Sequence, residues 1–258
     1  MAAKLLDMTG RNVLITGAAQ GIGLATAHLL YELGAQLTLV DASEDKLAEA
    51  AKAFDANRVL AVPASVTNRD QIQGVVDEAA RRFGGVHGLV NNAGIVRAAM
   101  IDKMTPEQWH QVMDVNLTGV FNCLQLVGVE MKRRAEAGDK TPGAIVNISS
   151  DAGRKGTIGQ VNYGAAKAGV LGITMSAARE WGRYGIRVNS IAFGVVATEM
   201  TEVIRGEKFR EKMLANIPLG RFVEAEEAVQ PIAFLLSDAG SYVTGQHLSV
   251  NGGAHMAG

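Results

Sequence analysis

Thr16-Gly17-Ala18-Ala19-Gln20-Gly21-Ile22-Gly23 follows a short apolar run, Asn12-Val13-Leu14-Ile15, and opens a stretch spaced for a helix. Each glycine at this junction has its own physical reason. Gly17 permits a tight turn, Gly21 lets the backbone approach a pyrophosphate, and Gly23 removes a Cβ where helix and strand must pack closely. Ile22 and Gln20 flank the approach. The helix start then presents unpaired N–H groups and a partial positive charge, a natural seat for a phosphate. The spacing is G-x-x-x-G-x-G rather than G-x-G-x-x-G. Taken alone, such a turn serves an ordinary strand-to-helix connection equally well.

Outward from this junction, short runs rich in Val, Ile and Leu alternate with longer helical patterns. Strands are expected at 12–16, 36–40, 58–62, 88–91, 144–149, 187–192 and 247–250, and helices at 22–33, 43–55, 68–83, 105–137, 161–183 and 224–236. Near-continuous apolar strands suit a parallel sheet buried on both faces. Alternation of this kind implies right-handed βαβ units, hence an α/β, Rossmann-like doubly wound fold with a seven-stranded parallel sheet flanked by helices. One domain is expected over 1–258, its cofactor-binding half about 1–140 and its catalytic and substrate half about 141–258. The charged segment 198–216 breaks the alternation and reads as a solvent-facing excursion above the sheet.

Composition narrows the classes of function. Hydrophobic residues make up 48% of the chain and net charge is −1, so a packed core is expected and no basic field draws nucleic acid or a membrane surface. The single cysteine, Cys123, excludes an intrachain disulfide and a cysteine-based metal site, and no metal centre is expected. Met1 to Gly10 has no signal-peptide pattern and no apolar stretch is read as long enough to span a bilayer, which points to a cytoplasmic protein.

Four further positions carry chemistry. Asp41 ends the second strand, at the distance from the glycines where a carboxylate accepts hydrogen bonds from an adenosine ribose. It would repel a 2′-phosphate, and neither Gln20 nor Ala42 supplies a cation to hold one, so NAD is favoured and NADP less so. Ser43 is the better candidate for the cap of the following helix. Tyr163 and Lys167 lie one helical turn apart and so share a face. An ammonium beside a phenol favours the phenolate, and a phenol tuned toward working pH exchanges a proton with a carbinol oxygen. Ser150 ends a predicted strand, where ligands bind in open α/β sheets.

Together these motifs resemble the short-chain dehydrogenase/reductase family: Thr16–Gly23, Asn91-Asn92-Ala93-Gly94, Asn116, Ser149-Ser150, Tyr163-Gly164-Ala165-Ala166-Lys167, and the ending Tyr242-Val243-Thr244-Gly245-Gln246 with Val250-Asn251-Gly252-Gly253. The resemblance covers nearly the whole chain and looks closest to 3-oxoacyl-[acyl-carrier-protein] reductases and related secondary-alcohol dehydrogenases. It implies an NAD(H)-dependent oxidoreductase of secondary alcohols and ketones. Tyr163 would be the acid/base, and Lys167 would hold the nicotinamide ribose and lower the tyrosine pKa. Ser150 would bind the substrate oxygen. Asn116 would sit at a helix kink and anchor a water that relays protons from Lys167. Asn92, Ala93 and Gly94 would line the adenosine side, Ser65 and Val66 the adenine, and Val196 and Thr198 would contact the carboxamide. The family is usually a homotetramer.

Three departures qualify the resemblance. Phe193-Gly194 replaces the frequent Pro-Gly, freeing a backbone angle and putting a ring within reach of the nicotinamide or substrate. Ser65 stands where an aspartate is frequent. Arg183 lies near a place where carrier-protein reductases have a basic residue, but Tyr184 takes the aligned position, leaving an acyl carrier protein partner in doubt. The substrate pocket is expected from 151–160, 193–195 and 198–216, partly apolar through Ile158, Val161, Phe193 and Val195. A 3-oxoacyl thioester and a cyclic, aromatic, sugar or steroid alcohol both remain open as small-molecule substrates. A non-catalytic dinucleotide sensor is the remote alternative.

Overall fold

The computed structural model describes residues 5–256. Its strands are β1 Asn12–Thr16, β2 Gln36–Asp41, β3 Val59–Pro63, β4 Gly88–Asn91, β5 Ala144–Ser150, β6 Arg187–Phe193, β7 Val196–Ala197, β8 Val223–Glu224 and β9 His247–Val250. Seven of them form one sheet in the order β3-β2-β1-β4-β5-β6-β9, every pair parallel. Strand order reverses between β1 and β4, and a crevice opens there at the carboxyl ends of the strands, as expected at such a switch point.

Successive residues of β1 explain the burial. Val13 and Ile15 point into one core cluster, Leu14 into the other, and all three are fully buried. Helix α1, Gly21–Glu32, packs Ala27 and Leu30 into the first cluster. On the opposite face lie α3, Arg69–Phe83, and the helices that follow β4 and β5. Helix α2, Glu44–Ala51, is shorter than expected and buries only Leu47 and Ala50.

The helix expected at 105–137 is three pieces end to end: α4 Pro106–Met113, a π-helical turn Asp114–Thr118, and α5 Gly119–Glu136. Thr105 and Gln108 form a capping box that fixes its start. Contrary to the sequence reading, this continuous helix holds an 18-residue window of mean hydropathy 1.3, enough by length and composition to cross a bilayer; 56% of the window is buried inside the protein. After β5 come a short α6, Ala152–Lys155, and the long α7, Val161–Trp181.

The excursion after β6 contains the small parallel pair β7–β8, a 3-10 turn Glu199–Thr201, α8 Glu202–Arg205 and α9 Glu207–Leu214. The last expected helix breaks into α10 Ala225–Ala228 and α11 Gln230–Leu236, because Pro231 lacks the N–H that a continuous helix needs but suits a first turn.

Candidate active site

The glycine junction folds for the reasons its spacing suggests. Gly17 and Gly21 have φ of +64° and +55°, the region that favours glycine. A Cβ on Gly17 would lie 2.9 Å from the Ala93 Cα, and one on Gly23 would collide with the Gly17 carbonyl. Gly23 therefore acts beneath the loop and not on the cleft wall. Asn92 splints the turn: its Nδ2 donates to the Thr16 and Gly17 carbonyls at 3.1 and 3.0 Å. The Thr16 hydroxyl accepts from the Asn92 and Ala93 N–H groups, both at 3.1 Å.

In front of this loop lies a cleft of about 490 Å³. Of the residues expected from the sequence to bind the cofactor, Gly17, Gln20, Gly21, Ile22, Asp41, Ser65, Val66, Asn92, Ala93 and Gly94 line it. Thr198 closes it from the excursion. Val196 does not reach the wall: it is 2% exposed, and its carbonyl accepts a bond from the Thr201 hydroxyl. Asp41 accepts from the Ala19 N–H at 3.1 Å and the Ser43 N–H at 2.9 Å, so its carboxylate is fixed against the glycine loop. Ser43 occupies the cap position of α2, but its side chain makes no capping bond; its N–H is already turned to Asp41.

The sequence reading missed Lys46. From the first turn of α2 it reaches the cleft wall, where its Nζ donates to Gln20 Oε1 at 2.7 Å and lies 3.8 Å from Glu199 Oε2. Glu199, Met200, Ile95 and Val115 also line the cleft. The spacing from Asp41 to Lys46 was the available signal, once α2 is known to point its first turn at the cleft.

Ser150, Tyr163 and Lys167 come together beyond the cleft. Ser150 ends β5, and its hydroxyl accepts from the Ala152 N–H at 3.2 Å. Burial pushes the Tyr163 phenol up, opposed by a hydrogen bond with the Ser150 side chain. Lys167 is 3% exposed; burial pulls its ammonium down to about 8. Its Nζ donates to the Ile148 carbonyl at 2.8 Å and lies 5.7 Å from the Tyr163 ring centroid. The expected lowering of the phenol by Lys167 is not the dominant effect in the protein alone: desolvation raises the phenol and disfavours the ammonium together.

Asn116 lies in the π turn, fully buried, the helix irregularity expected for it. Its side chain clamps one residue: Oδ1 accepts from the Ile95 N–H at 2.9 Å and Nδ2 donates to the Ile95 carbonyl at 3.0 Å. Ile95 lines the cleft, so the clamp fixes one of its lining residues from the π turn. Asn162, not singled out from sequence, is fully buried beside Tyr163. Its Nδ2 donates to the Arg97 and Gln108 carbonyls at 3.0 Å and its Oδ1 accepts from the Tyr163 N–H at 2.7 Å. Phe193 corrects an expectation: its ring is 4% exposed and belongs to the core, so it does not face the site. Ile158 and Val161 are exposed, at 87% and 37%.

Comparison with known proteins agrees with this geometry. A family model described as enoyl-(acyl carrier protein) reductase matches residues 17–255. The 3-oxoacyl-[acyl-carrier-protein] reductase FabG of Thermotoga maritima is 44% identical over 250 residues, covering 96% of this chain and 99% of the relative. A short-chain type dehydrogenase/reductase from Mycobacterium marinum superposes with a TM-score of 0.91 at 31% identity, covering all of both chains. The chain belongs to the short-chain dehydrogenase/reductase family. Levodione reductase is a further structural neighbour, with TM-score 0.88 and 36% identity over 95% of this chain and 98% of its own. This short-chain dehydrogenase/reductase is an oxidoreductase acting on CH–OH groups, as a 3-oxoacyl-carrier reductase or a related secondary-alcohol enzyme, and its cofactor class is a nicotinamide dinucleotide.

Proposed function

We propose that this enzyme works with NAD(H) in preference to NADP(H), reads the cofactor with residues of its first half, about 1–140, and performs proton chemistry with Ser150, Tyr163 and Lys167 of its second half, about 141–258. The observation that carries the catalytic part of the reading is the convergence of three side chains: Ser150 favours the Tyr163 phenolate, and Lys167, on the same helix face as Tyr163, has its Nζ 5.7 Å from that ring. The fit to a dinucleotide rests on the glycine cradle, whose space any Cβ at Gly17 or Gly23 would fill, and on a cleft within the ~300–1,000 Å³ usual for cofactor sites. A bound nicotinamide would supply the hydride acceptor for the carbinol carbon in oxidation and the hydride donor in reduction.

The remaining work belongs to the chain. Gly21 and the start of α1 receive the pyrophosphate, and Asp41 accepts from the ribose hydroxyls. Ser150 donates to the substrate oxygen and orients it. Tyr163 gives its phenolic proton to that oxygen during reduction and takes it back during oxidation. Lys167 holds the nicotinamide ribose and, when charged, favours the phenolate; Asn116 supports the cleft floor through Ile95 and anchors the relay water. Tyr163→Phe and Ser150→Ala, assayed by NADH absorbance in both directions, test these roles.

The substrate proposal is a 3-oxoacyl thioester, the substrate type named for the FabG relatives. Tyr184 favours a second reading. It stands where carrier-protein reductases are expected to have a basic residue, although Arg183 Nη2 donates to its hydroxyl at 2.8 Å and Lys132 lies 5.2 Å from its ring. A free cyclic or aromatic ketone is the alternative, and a panel of acyl thioesters and cyclic ketones separates the two.

A further inference from the structure

Asp151 directly follows Ser150 and is 6% exposed. An ionised carboxylate in such a place is costly unless it is bonded. Its two oxygens share the Asn251 Nδ2, each at 3.0 Å. Asn251, 8% exposed, belongs to the segment after β9, and its amide also donates to the His255 carbonyl at 2.9 Å while its Oδ1 accepts from the Gly253 N–H at 3.0 Å. β6 lies between β5 and β9, so this link skips a strand. It does so over Gly194, where a Cβ would come within 2.8 Å of the Asn251 Cβ.

Neighbouring side chains of the same turn reach the same segment. Arg154 Nη1 donates to Ser249 Oγ at 2.6 Å, and Lys155 Nζ donates to the Ala254 carbonyl at 3.2 Å while lying 4.0 Å from Asp151 Oδ2. The Asp151 N–H donates to the Phe193 carbonyl at 3.3 Å. The Ser150 hydroxyl is in turn held by the N–H of Ala152, one residue beyond Asp151. The direction of the Ser150 side chain thus depends on a turn anchored on β9 and the segment that follows it.

We infer that Asp151 is a positioning residue, which through Asn251 fixes the turn that aims the Ser150 hydroxyl at the reacting oxygen; the inference rests on the role proposed for Ser150. Asp151 is buried and does not line the cofactor cleft. A buried carboxylate here exchanges some stability for one defined arrangement of the turn.

The test uses the full-length enzyme with D151A, N251A, their combination, and D151N, which keeps an acceptor oxygen, beside S150A. Expected for D151A is a fall in kcat of about ten- to hundredfold, the scale of a misplaced reacting group, with NADH affinity measured by fluorescence little changed. The double variant should be no worse than either single one, because both break one unit. D151N should recover most of the loss. A second readout separates positioning from structure: the inflection of kcat/KM with pH in alcohol oxidation should move upward in D151A. The Ser150 side chain opposes the burial that raises the Tyr163 phenol, and Lys167, the other titrating group against that ring, is untouched. Parental kcat and inflection in D151A, with S150A inactive, overturn the inference alone. So does a loss of melting temperature and NADH affinity with the inflection unmoved. A fully active S150A overturns it together with the proposed role of Ser150.

Discussion

Asp41 and Lys46 put opposite charges on the lining of the cleft, where the adenosine ribose is proposed to sit. A 2′-phosphate against Asp41 meets like charge, roughly 4 kcal/mol at ~4 Å and an effective dielectric near 20, before solvent and salt reduce it. Lys46 offsets part of that while Gln20 and Glu199 hold its ammonium. We expect kcat/KM to favour NAD(H) over NADP(H) by about tenfold to a hundredfold, the preference to deepen in Lys46→Ala, and to reverse in Asp41→Ala combined with Ala42→Arg. A parent that favours NADP(H) would refute the reading of Asp41. At the other end, Tyr163→Phe keeps the ring and removes the proton carrier; turnover should fall at least ~10²-fold with cofactor binding retained. Lys167 adds a pH signature of stability. Its ammonium titrates near 8 when folded against an ordinary 10.5, so between those values the unfolded chain holds more protons and stability rises with pH. The burial penalty is full below pH 8 and gone by 10.5. The melting-temperature advantage of Lys167→Met should therefore shrink across that window; a constant difference would show that the ammonium is not disfavoured by folding.

Elements meet closely where glycine allows it. A Cβ on Gly128 of α5 would enter the Trp181 ring at the end of α7, and one on Gly169 of α7 would lie 2.8 Å from Leu117 of the π turn. Gly128→Ala should cost about 1–3 kcal/mol by overpacking, visible as a lower denaturation midpoint with an unchanged slope. A midpoint at or above the parent's would mean that the tryptophan swings aside freely. This level also shows what the sequence could and could not reveal. The strands were legible because every residue of β1 is apolar or buried, a pattern that only a doubly covered parallel strand needs. The glycine cradle was legible because positive φ and close packing each need glycine at a fixed place, whereas the roles of Ser150, Tyr163 and Lys167 came from the family resemblance and stand as proposals. The break before Pro231, the β7–β8 pair and the approach of Lys46 were not read, because they depend on which way an excursion or a helix turns, and period alone is silent on that. Phe193 misled for the same reason: a ring next to a site is compatible with either face of its strand, and this one faces the core.

The whole molecule leaves apolar surface that a single copy does not cover. On the long helices α5 and α7, Val120, Leu124, Leu126, Val127 and Val170 are buried in this chain's own core. Phe121, Val129 and Met175 remain, 44%, 58% and 47% exposed, with Gly172 open beside Met175 on α7. On the other side, Phe234 of α11 and Leu248 of β9 are 37% and 38% exposed, and β9 is the edge of the sheet. Two separate apolar faces, each able to meet its own copy, are what two different two-fold axes require, so a homotetramer is the assembly we propose. Each face must bury on the order of 1,200–2,000 Å² in the pair to hold at micromolar concentration. Charge placed on one face should then remove one axis and leave the other. Phe121→Arg with Met175→Arg should sediment as a dimer, and Leu248→Arg with Phe234→Arg as a different dimer, while the parent sediments as a tetramer. A parent that stays monomeric at micromolar concentration would refute the assembly. If instead either double variant remained tetrameric, its face would be solvent-exposed in the assembly, and the contact would have to be sought elsewhere on the surface.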